Sequence, residues 1–172
     1  MTDRPVSIAG RKEFTKLSRQ WSVADGARYV SSDLLRARES AALLTNEAVR
    51  VEARLREMNF GQWEDRTWEE LEQQDGAALS AWMEHWTTIR PPGGESFDDM
   101  LVRVKSWLDE IAIDGTEHVV VAHAGSIRAA AVLLLHMPPA HAFSLAVDHG
   151  HISTFTLTSL GATLLRWNAI CT

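Results

Sequence analysis

The sequence is poor in cysteine, in long apolar runs and in positive charge. Its one cysteine among 172 residues, Cys171, cannot form a disulfide within the chain, as is usual in a reducing cytoplasm. No apolar run approaches the roughly 20 residues that span a membrane, and residues 1–5 lack the apolar stretch of a signal peptide. A net charge of −6 argues against nucleic-acid binding, which needs a basic face. We therefore expect a cytoplasmic protein that binds neither membranes nor nucleic acids.

The seven histidines show no metal-ligand spacing supported by Cys, Asp or Glu partners. The pair in His149-Gly150-His151 could ligate a metal, but a turn between two strands explains this run more simply. We expect no metal and no cofactor.

Helices and strands alternate along the chain, which predicts a layered α/β fold with a later antiparallel portion. Apolar residues make up 45% of the sequence, enough for the core of one domain over residues 1–172. The patterns predict helices over residues 7–21, 34–46, 67–74, 77–88, 97–111 and 126–136. They predict strands over residues 27–30, 118–122, 143–147, 152–157 and 162–167, with 118–122 buried on both faces. Ser96 and Asp99 have the spacing of a capping box.

Two predicted strand-to-helix junctions could bind an anion, because ligands of open α/β sheets lie beyond the carboxyl ends of the strands. At the first, Ser31-Ser32-Asp33 is suited to cap a helix whose first turn carries Arg36. A cation is unfavourable at that end of a helix. Arg36 therefore indicates either a bound anion or a salt bridge to Asp33 or Glu39.

The second junction is His123-Ala124-Gly125-Ser126, which follows the most apolar predicted strand. A histidine here lies where the sheet opens to solvent, and the next backbone N–H groups can point at an oxyanion. The alternative is a hydrogen-bonded histidine with a structural role only.

A third segment, residues 54–64, carries Glu57 beside Met58 and Phe60. A carboxyl group among apolar neighbours is suited to general acid catalysis. The alternative is a loop carboxylate paired with Arg54 or Arg56.

Four segments in this order closely resemble the histidine phosphatase superfamily, which has the phosphoglycerate mutase-like fold. They read Ser-Asp-Leu-Leu-Arg-Ala-Arg-Glu-Ser-Ala at 32–41, Leu-Arg-Glu-Met-Asn-Phe-Gly-Gln-Trp-Glu at 55–64, Pro-Gly-Gly-Glu-Ser at 92–96 and Val-Ala-His-Ala-Gly-Ser-Ile-Arg at 121–128. Within the superfamily, residues 59–63, 82–86 and 137–150 look most like the α-ribazole phosphatase branch. The resemblance implies a three-layer αβα fold with a mostly parallel sheet.

The resemblance also implies a chemistry and roles for four residues. A histidine attacks the phosphoryl group, and water hydrolyses the resulting phosphohistidine without a metal. By position, Arg36 resembles a phosphate-binding arginine and His123 the second, non-nucleophilic histidine. Glu57 resembles the acid that protonates the leaving group, and the backbone N–H of Ala124 would bind phosphate.

The branch implies a substrate, a small phosphate ester. An α-ribazole phosphatase removes phosphate from α-ribazole 5′-phosphate during cobalamin biosynthesis. Trp63, Trp82 and Trp86 could line a pocket for its benzimidazole, although core packing is the simpler expectation for them. The alternatives are a general small-molecule phosphatase, a phosphoglycerate mutase-type enzyme, or an inactive protein that only binds anions. A homodimer is possible.

The sequence departs from the family at one point. Family members begin with a strand that ends in Arg-His-Gly and supplies the nucleophile, and this triplet is absent here. Residues 3–11 resemble the segment that normally follows that strand and its loop. We therefore expect this sequence to be truncated at its N-terminus, to lack the usual central strand, and to be unstable and inactive as it stands. A substitute nucleophile, His149 or His151, is the less favoured alternative.

Overall fold

The computed structural model describes residues 2–170, so Cys171 lies outside the described residues. The helices are α1 (Ile8–Gln20), α2 (Leu35–Leu44), α3 (Trp68–His85), α4 (Phe97–Leu108) and α5 (Ala124–Leu134). The strands are β1 (Arg28–Ser31), β2 (Val49–Val51), β3 (His118–Val121), β4 (Ile152–Thr158) and β5 (Gly161–Ala169). Short 3-10 helices cover Ala53–Leu55, Gly61–Trp63 and Pro139–Ser144. No helix in residues 2–170 combines the length and apolarity needed to cross a bilayer.

Three parallel strands in the order β2-β1-β3 form the central sheet. On one face, Val121 packs with Ala37 and Ala41 of α2. On the other face, Val30 packs with Leu55 and with Trp107 of α4. Helices therefore cover both faces of a parallel sheet, as the sequence predicted.

The sheet has an open edge at β3. This strand pairs with β1 on one side and has no strand partner on the other within residues 2–170. Strands β4 and β5 form a separate antiparallel hairpin. The prediction that strand 118–122 is buried on both faces is wrong, because Val120 is 37% exposed. Val120 pairs in register with buried Val30, but it lies on the outermost strand, where the helical layer ends.

The predicted strand over residues 143–147 is also wrong. The chain there leaves a 3-10 helix, Pro139–Ser144, which begins with proline. Proline is well suited to the first position of a helical turn because it has no N–H to bond. The Nε group of Arg128 donates to the carbonyl of Leu145 at 2.9 Å, so a side chain takes the place of a strand partner.

Serine side chains cap two of the helices. Ser7 caps α1, and the predicted capping box of Ser96 and Asp99 opens α4. The helices predicted over 67–74 and 77–88 are the two halves of α3, which is kinked at Asp75. The Asp75 carboxylate accepts a hydrogen bond from Nε1 of Trp63 at 3.2 Å.

Candidate active site

Arg36 lies in the first turn of α2 and reaches the start of α5. Its Nε group donates to Nδ1 of His123 at 3.2 Å, and Nη1 donates to the carbonyl of Thr2 at 3.2 Å. The two junctions singled out in the sequence therefore meet at one edge of the sheet.

The salt bridges considered for Arg36 do not form. Asp33 instead binds Arg56 through both carboxylate oxygens, and Glu39 binds Arg11 at 2.9 Å. Both carboxylates therefore have other partners, and anion binding by Arg36 stays a prediction.

The cap of α2 differs from the prediction. The N-cap residue is Leu34, which has no side-chain oxygen, and Asp33 is used elsewhere. The Asp3 carboxylate, 32 positions earlier, accepts a hydrogen bond from the backbone N–H of Leu35 at 2.6 Å. An anionic oxygen is thus stabilised beside Arg36, as expected at a helix N-terminus.

His123 is the N-cap of α5 and is 8% exposed. An arginine Nε is always a donor, so Nδ1 must accept from Arg36 and the ring proton lies on Nε2. Nε2 is buried and has no hydrogen-bond partner among residues 2–170. Burial, followed by the positive charges of Arg36 and Arg103, lowers the pKa of His123 to about 4. At neutral pH the residue is a neutral imidazole with an unused donor.

Glu57 lies against the N-terminus of α5. Its Oε1 accepts hydrogen bonds from the N–H of Gly125 at 3.0 Å and from its neighbour Met58 at 2.8 Å. A Cβ on Gly125 would overlap Oε1, so only glycine allows this close approach. The segment His123-Ala124-Gly125-Ser126, which the sequence singled out for its histidine, therefore also contains Gly125, whose N–H binds the Glu57 carboxyl group.

The arginine partners considered for Glu57 are engaged elsewhere. Arg54 binds Glu52 and Glu110, and Arg56 binds Asp33. Glu57 thus remains a carboxylate held by backbone N–H groups. The N–H of Ala124, the first residue of α5, has no acceptor in the described part of the chain.

The predicted tryptophans divide between core and surface. Trp63 and Trp82 are buried, at 3% and 6% exposure, whereas Trp86 is half-buried. An apolar groove of about 680 Å³ runs along α3 and is lined by Trp82 and Trp86 but not by Trp63. Its outer walls are Trp68, Met83 and Phe143, all more than half exposed.

His149 and His151 form a turn before β4. Nδ1 of His151 contacts the carbonyl of His149 at 2.9 Å. Within residues 2–170 neither histidine bonds to Arg36, Glu57 or His123. In the same range no three His, Cys, Asp or Glu side chains group as metal ligands.

Arg103 and Asp3 were missed by the sequence-based interpretation. Arg103 lies in α4 between Met100 and Val104, which are fully buried, and donates to the carbonyl of Glu57 at 3.2 Å. A cation within the apolar stripe of a helix is a signal that could have identified it. Asp3 gave no such signal, because its contact joins distant parts of the chain.

Relatives of known sequence include three bacterial proteins. A bifunctional protein of Mycobacterium tuberculosis is 34% identical over 145 residues, and the match covers 81% of this chain but only 40% of that protein. A glucosyl-3-phosphoglycerate phosphatase of the same organism is 32% identical over 152 residues, which is 81% of this chain and 68% of the relative. An adenosylcobalamin/α-ribazole phosphatase of Salmonella typhimurium is 30% identical over 147 residues, which is 83% of this chain and 73% of the relative.

Solved structures and a family model agree with these relatives. An α-ribazole phosphatase of Shigella flexneri superposes with a TM-score of 0.89 at 26% identity, covering 97% of this chain and 86% of that one. A mycobacterial glucosyl-3-phosphoglycerate phosphatase gives a TM-score of 0.82 at 28% identity, covering 98% of this chain and 89% of that one. The predicted phosphoglycerate mutase-like fold is confirmed. Residues 1–170 match the model of the histidine phosphatase superfamily, branch 1. The chain belongs to the histidine phosphatase superfamily.

Proposed function

We propose that this chain belongs to a phosphomonoesterase that acts on α-ribazole 5′-phosphate or a close analogue, in cobalamin biosynthesis. The observation that carries the proposal is the meeting of Arg36, His123 and Glu57 at the N-terminus of α5. An arginine, a neutral imidazole donor and a held carboxyl group suit phosphate binding and leaving-group protonation, two parts of phosphate-ester hydrolysis. The α-ribazole phosphatases among the relatives and solved structures support the choice of substrate.

The phosphoryl group is bound by three kinds of donor. Arg36 retains guanidinium donors beyond the two used by His123 and Thr2. The N–H of Ala124 and the Nε2 proton of His123 are both without a protein acceptor in residues 2–170. Donors fixed in advance around a phosphoryl group stabilise the charge of its transition state.

Glu57 protonates the oxygen of the leaving group as the P–O bond breaks and the phosphoryl group passes to a nucleophilic imidazole. It then accepts a proton from the water that hydrolyses the phosphohistidine. Oε1 is held by Gly125 and Met58, while Oε2 has only a longer contact of 3.3 Å with Gly125. Oε2 is thus the oxygen available for proton transfer. The covalent step needs a nucleophilic imidazole, and we assign it to none of the described histidines.

The test uses the protein isolated from its own host. Its intact mass is measured together with phosphate release from α-ribazole 5′-phosphate and from glucosyl-3-phosphoglycerate. We expect turnover of the first ester through an acid-labile phosphohistidine, and His123→Ala should lower kcat by about 100-fold or more. The exposed His141→Ala is the control.

Three results would contradict the proposal in different ways. Undiminished turnover by His123→Ala would remove His123 from the mechanism. Preference for glucosyl-3-phosphoglycerate would identify that sugar ester, instead of α-ribazole 5′-phosphate, as the substrate. Phosphate binding that depends on Arg36, without turnover of either ester, would favour the inactive anion-binding protein.

A further inference from the structure

We propose that Arg103, together with Glu95, is a positioning residue that holds the Glu57 carboxyl group at the N-terminus of α5. The inference rests on the proposed role of Glu57 as the acid. Arg103 itself is not a catalytic residue, because its hydrogen bonds all end on this chain's own carbonyl and carboxylate oxygens.

One guanidinium holds both ends of the turn that carries Glu57. Nη1 of Arg103 donates to the carbonyl of Arg54 at 2.6 Å, and Nη2 donates to the carbonyl of Glu57 at 3.2 Å. Because the guanidinium is planar and rigid, these two bonds fix the distance and the orientation between residues 54 and 57. The backbone that leads to the carboxyl group is thereby fixed.

Glu95 orients Arg103 and also binds the backbone of Asn59, two residues after Glu57. Its carboxylate binds Nε and Nη2 of Arg103 at 3.0 and 2.7 Å. Glu95 Oε1 also accepts from the N–H of Asn59 at 2.9 Å, and the N–H of Glu95 donates to the Asn59 carbonyl at 2.9 Å. Residues 54–59 are therefore held at three points, at Arg54, Glu57 and Asn59.

The ion pair between Arg103 and Glu95 is more buried than an incidental surface pair. The side chains of Arg103 and Glu95 are only 20% and 18% exposed. A Cβ on Gly94, the residue before Glu95, would overlap the carbonyl of Asn59. The backbones of loop 91–95 and loop 54–61 are thus in close contact at Gly94.

Position matters more here than charge. A general acid must lie within hydrogen-bond reach of the oxygen that it protonates, and displacement by about 1 Å can cost a large part of the rate. Arg103→Lys keeps the positive charge near the site, but one ammonium cannot reproduce the paired bonds to Glu95 and to two carbonyls. This variant therefore separates geometry from electrostatics.

The kinetic test compares two esters in the Arg103→Lys, Arg103→Met and Glu95→Gln variants of the protein that its own host makes. A phosphate ester of an aliphatic alcohol needs a proton on its leaving oxygen, whereas p-nitrophenyl phosphate releases a stable phenolate. We expect kcat for the alkyl ester to fall by about tenfold or more in all three variants, with KM little changed. Turnover of p-nitrophenyl phosphate should change by less than about threefold. Equal losses on both esters would contradict a role acting through Glu57.

A spectroscopic test does not depend on turnover. The Gly125 N–H that donates to Glu57 Oε1 should show altered 1H and 15N shifts and faster hydrogen exchange in the three variants, as in Glu57→Gln. The matched control is Arg90→Lys, because Arg90 makes a bidentate pair with Asp99 of the same helix, away from Glu57. An unchanged Gly125 signal in folded Arg103→Lys would overturn the inference.

The two tests separate failure of this inference from failure of the proposed function. Absence of turnover on either ester by the protein isolated from its own host would contradict the proposed function, while the Gly125 signal would still decide whether Arg103 positions Glu57. Thermal unfolding of each variant establishes that it is folded. If Arg103→Met fails to fold, Arg103→Lys and Glu95→Gln carry the comparison.

Discussion

At the scale of single residues, the candidate site depends on an imidazole that stays neutral between two arginines. Arg36 fixes its tautomer through Nδ1, and Arg103 adds positive charge nearby. A neutral His123 keeps its Nε2 proton for a ligand and adds no net charge to the site. Burial of His123 lowers the free energy of unfolding in acid, because the unfolded chain binds a proton more readily than the folded one.

The free energy of unfolding should therefore fall with pH in a window set by His123. The pKa of the residue is about 4 in the folded chain and about 6.5 when unfolded. Between these values the unfolded state binds more protons, so stability decreases as the pH falls. From pH 7 to 4.5 we expect His123→Gln to lose about 2 kcal/mol less than the wild type, measured by urea unfolding. His141→Gln is the control, and parallel curves for wild type and His123→Gln would contradict the prediction.

Gly125→Ala should uncouple the acid from α5 while leaving the helix intact. Alanine is the better helix former by about 1 kcal/mol, but its Cβ would overlap Glu57 Oε1 and press on Met100. We expect a folded protein whose turnover of alkyl phosphates falls by about tenfold or more. Steady-state kinetics and thermal unfolding check this together. Wild-type kcat in the variant would mean that Glu57 does not act from this position.

The sequence identified the residues of the site better than their partners. Arg36 and His123 lie at the two strand-to-helix junctions that the sequence singled out, and Glu57 reaches the same helix N-terminus. Their roles in catalysis stay predictions. Their alternative partners could not be ruled out from spacing, since Asp33 and Arg56 find each other across 23 positions. Long-range pairs of this kind depend on the sheet register, and a single sequence does not carry that information.

At the scale of secondary structure elements, α4 connects the apolar core to the loop that carries Glu57. Its N-terminus is closed by a capping box, in which Ser96 Oγ accepts from the N–H of Asp99 and the Asp99 carboxylate accepts from the N–H of Ser96. The hydrogen bond from Arg90 holds the pKa of Asp99 well below its usual range. The cap therefore stays charged through ordinary acid conditions.

Ser96→Ala should lower the free energy of unfolding by about 1 kcal/mol, because it removes one partner of this box. Denaturant unfolding at neutral pH measures the loss. Ser7→Ala, at the exposed cap of α1, is the comparison and should cost less. A Ser96 variant as stable as the wild type would mean that the hydrogen bonds of Asp99 alone cap the helix.

Elements with strong local signals were predicted, and those that depend on their surroundings were not. The cap of α4 and the hairpin of β4 and β5 follow from side-chain chemistry and alternation. Strand β2 has only three residues, too few for a periodic pattern. Residues 143–147 alternate like a strand, but Pro139 and the Arg128 contact with Leu145 give them a different conformation.

At the scale of the whole molecule, the open edge of β3 is a source of association. Its backbone groups on that side have no strand partner in residues 2–170. Exposed edges of this kind pair with other chains.

We expect the 172-residue chain to associate as its concentration rises, measured by sedimentation velocity. Val120→Lys should reduce this, because an edge lysine opposes pairing, whereas Val102→Lys on exposed α4 should not. Equal association of the two variants would contradict pairing through the open edge of β3.

The contact between Asp3 and Leu35 has a practical consequence for handling the protein. The carboxylate that closes α2 next to Arg36 belongs to the third residue of the chain. Any residues that precede Met1, native or added as a tag, therefore join the chain two positions from the carboxylate beside Arg36. Affinities for phosphate measured on chains with different N-terminal segments should differ.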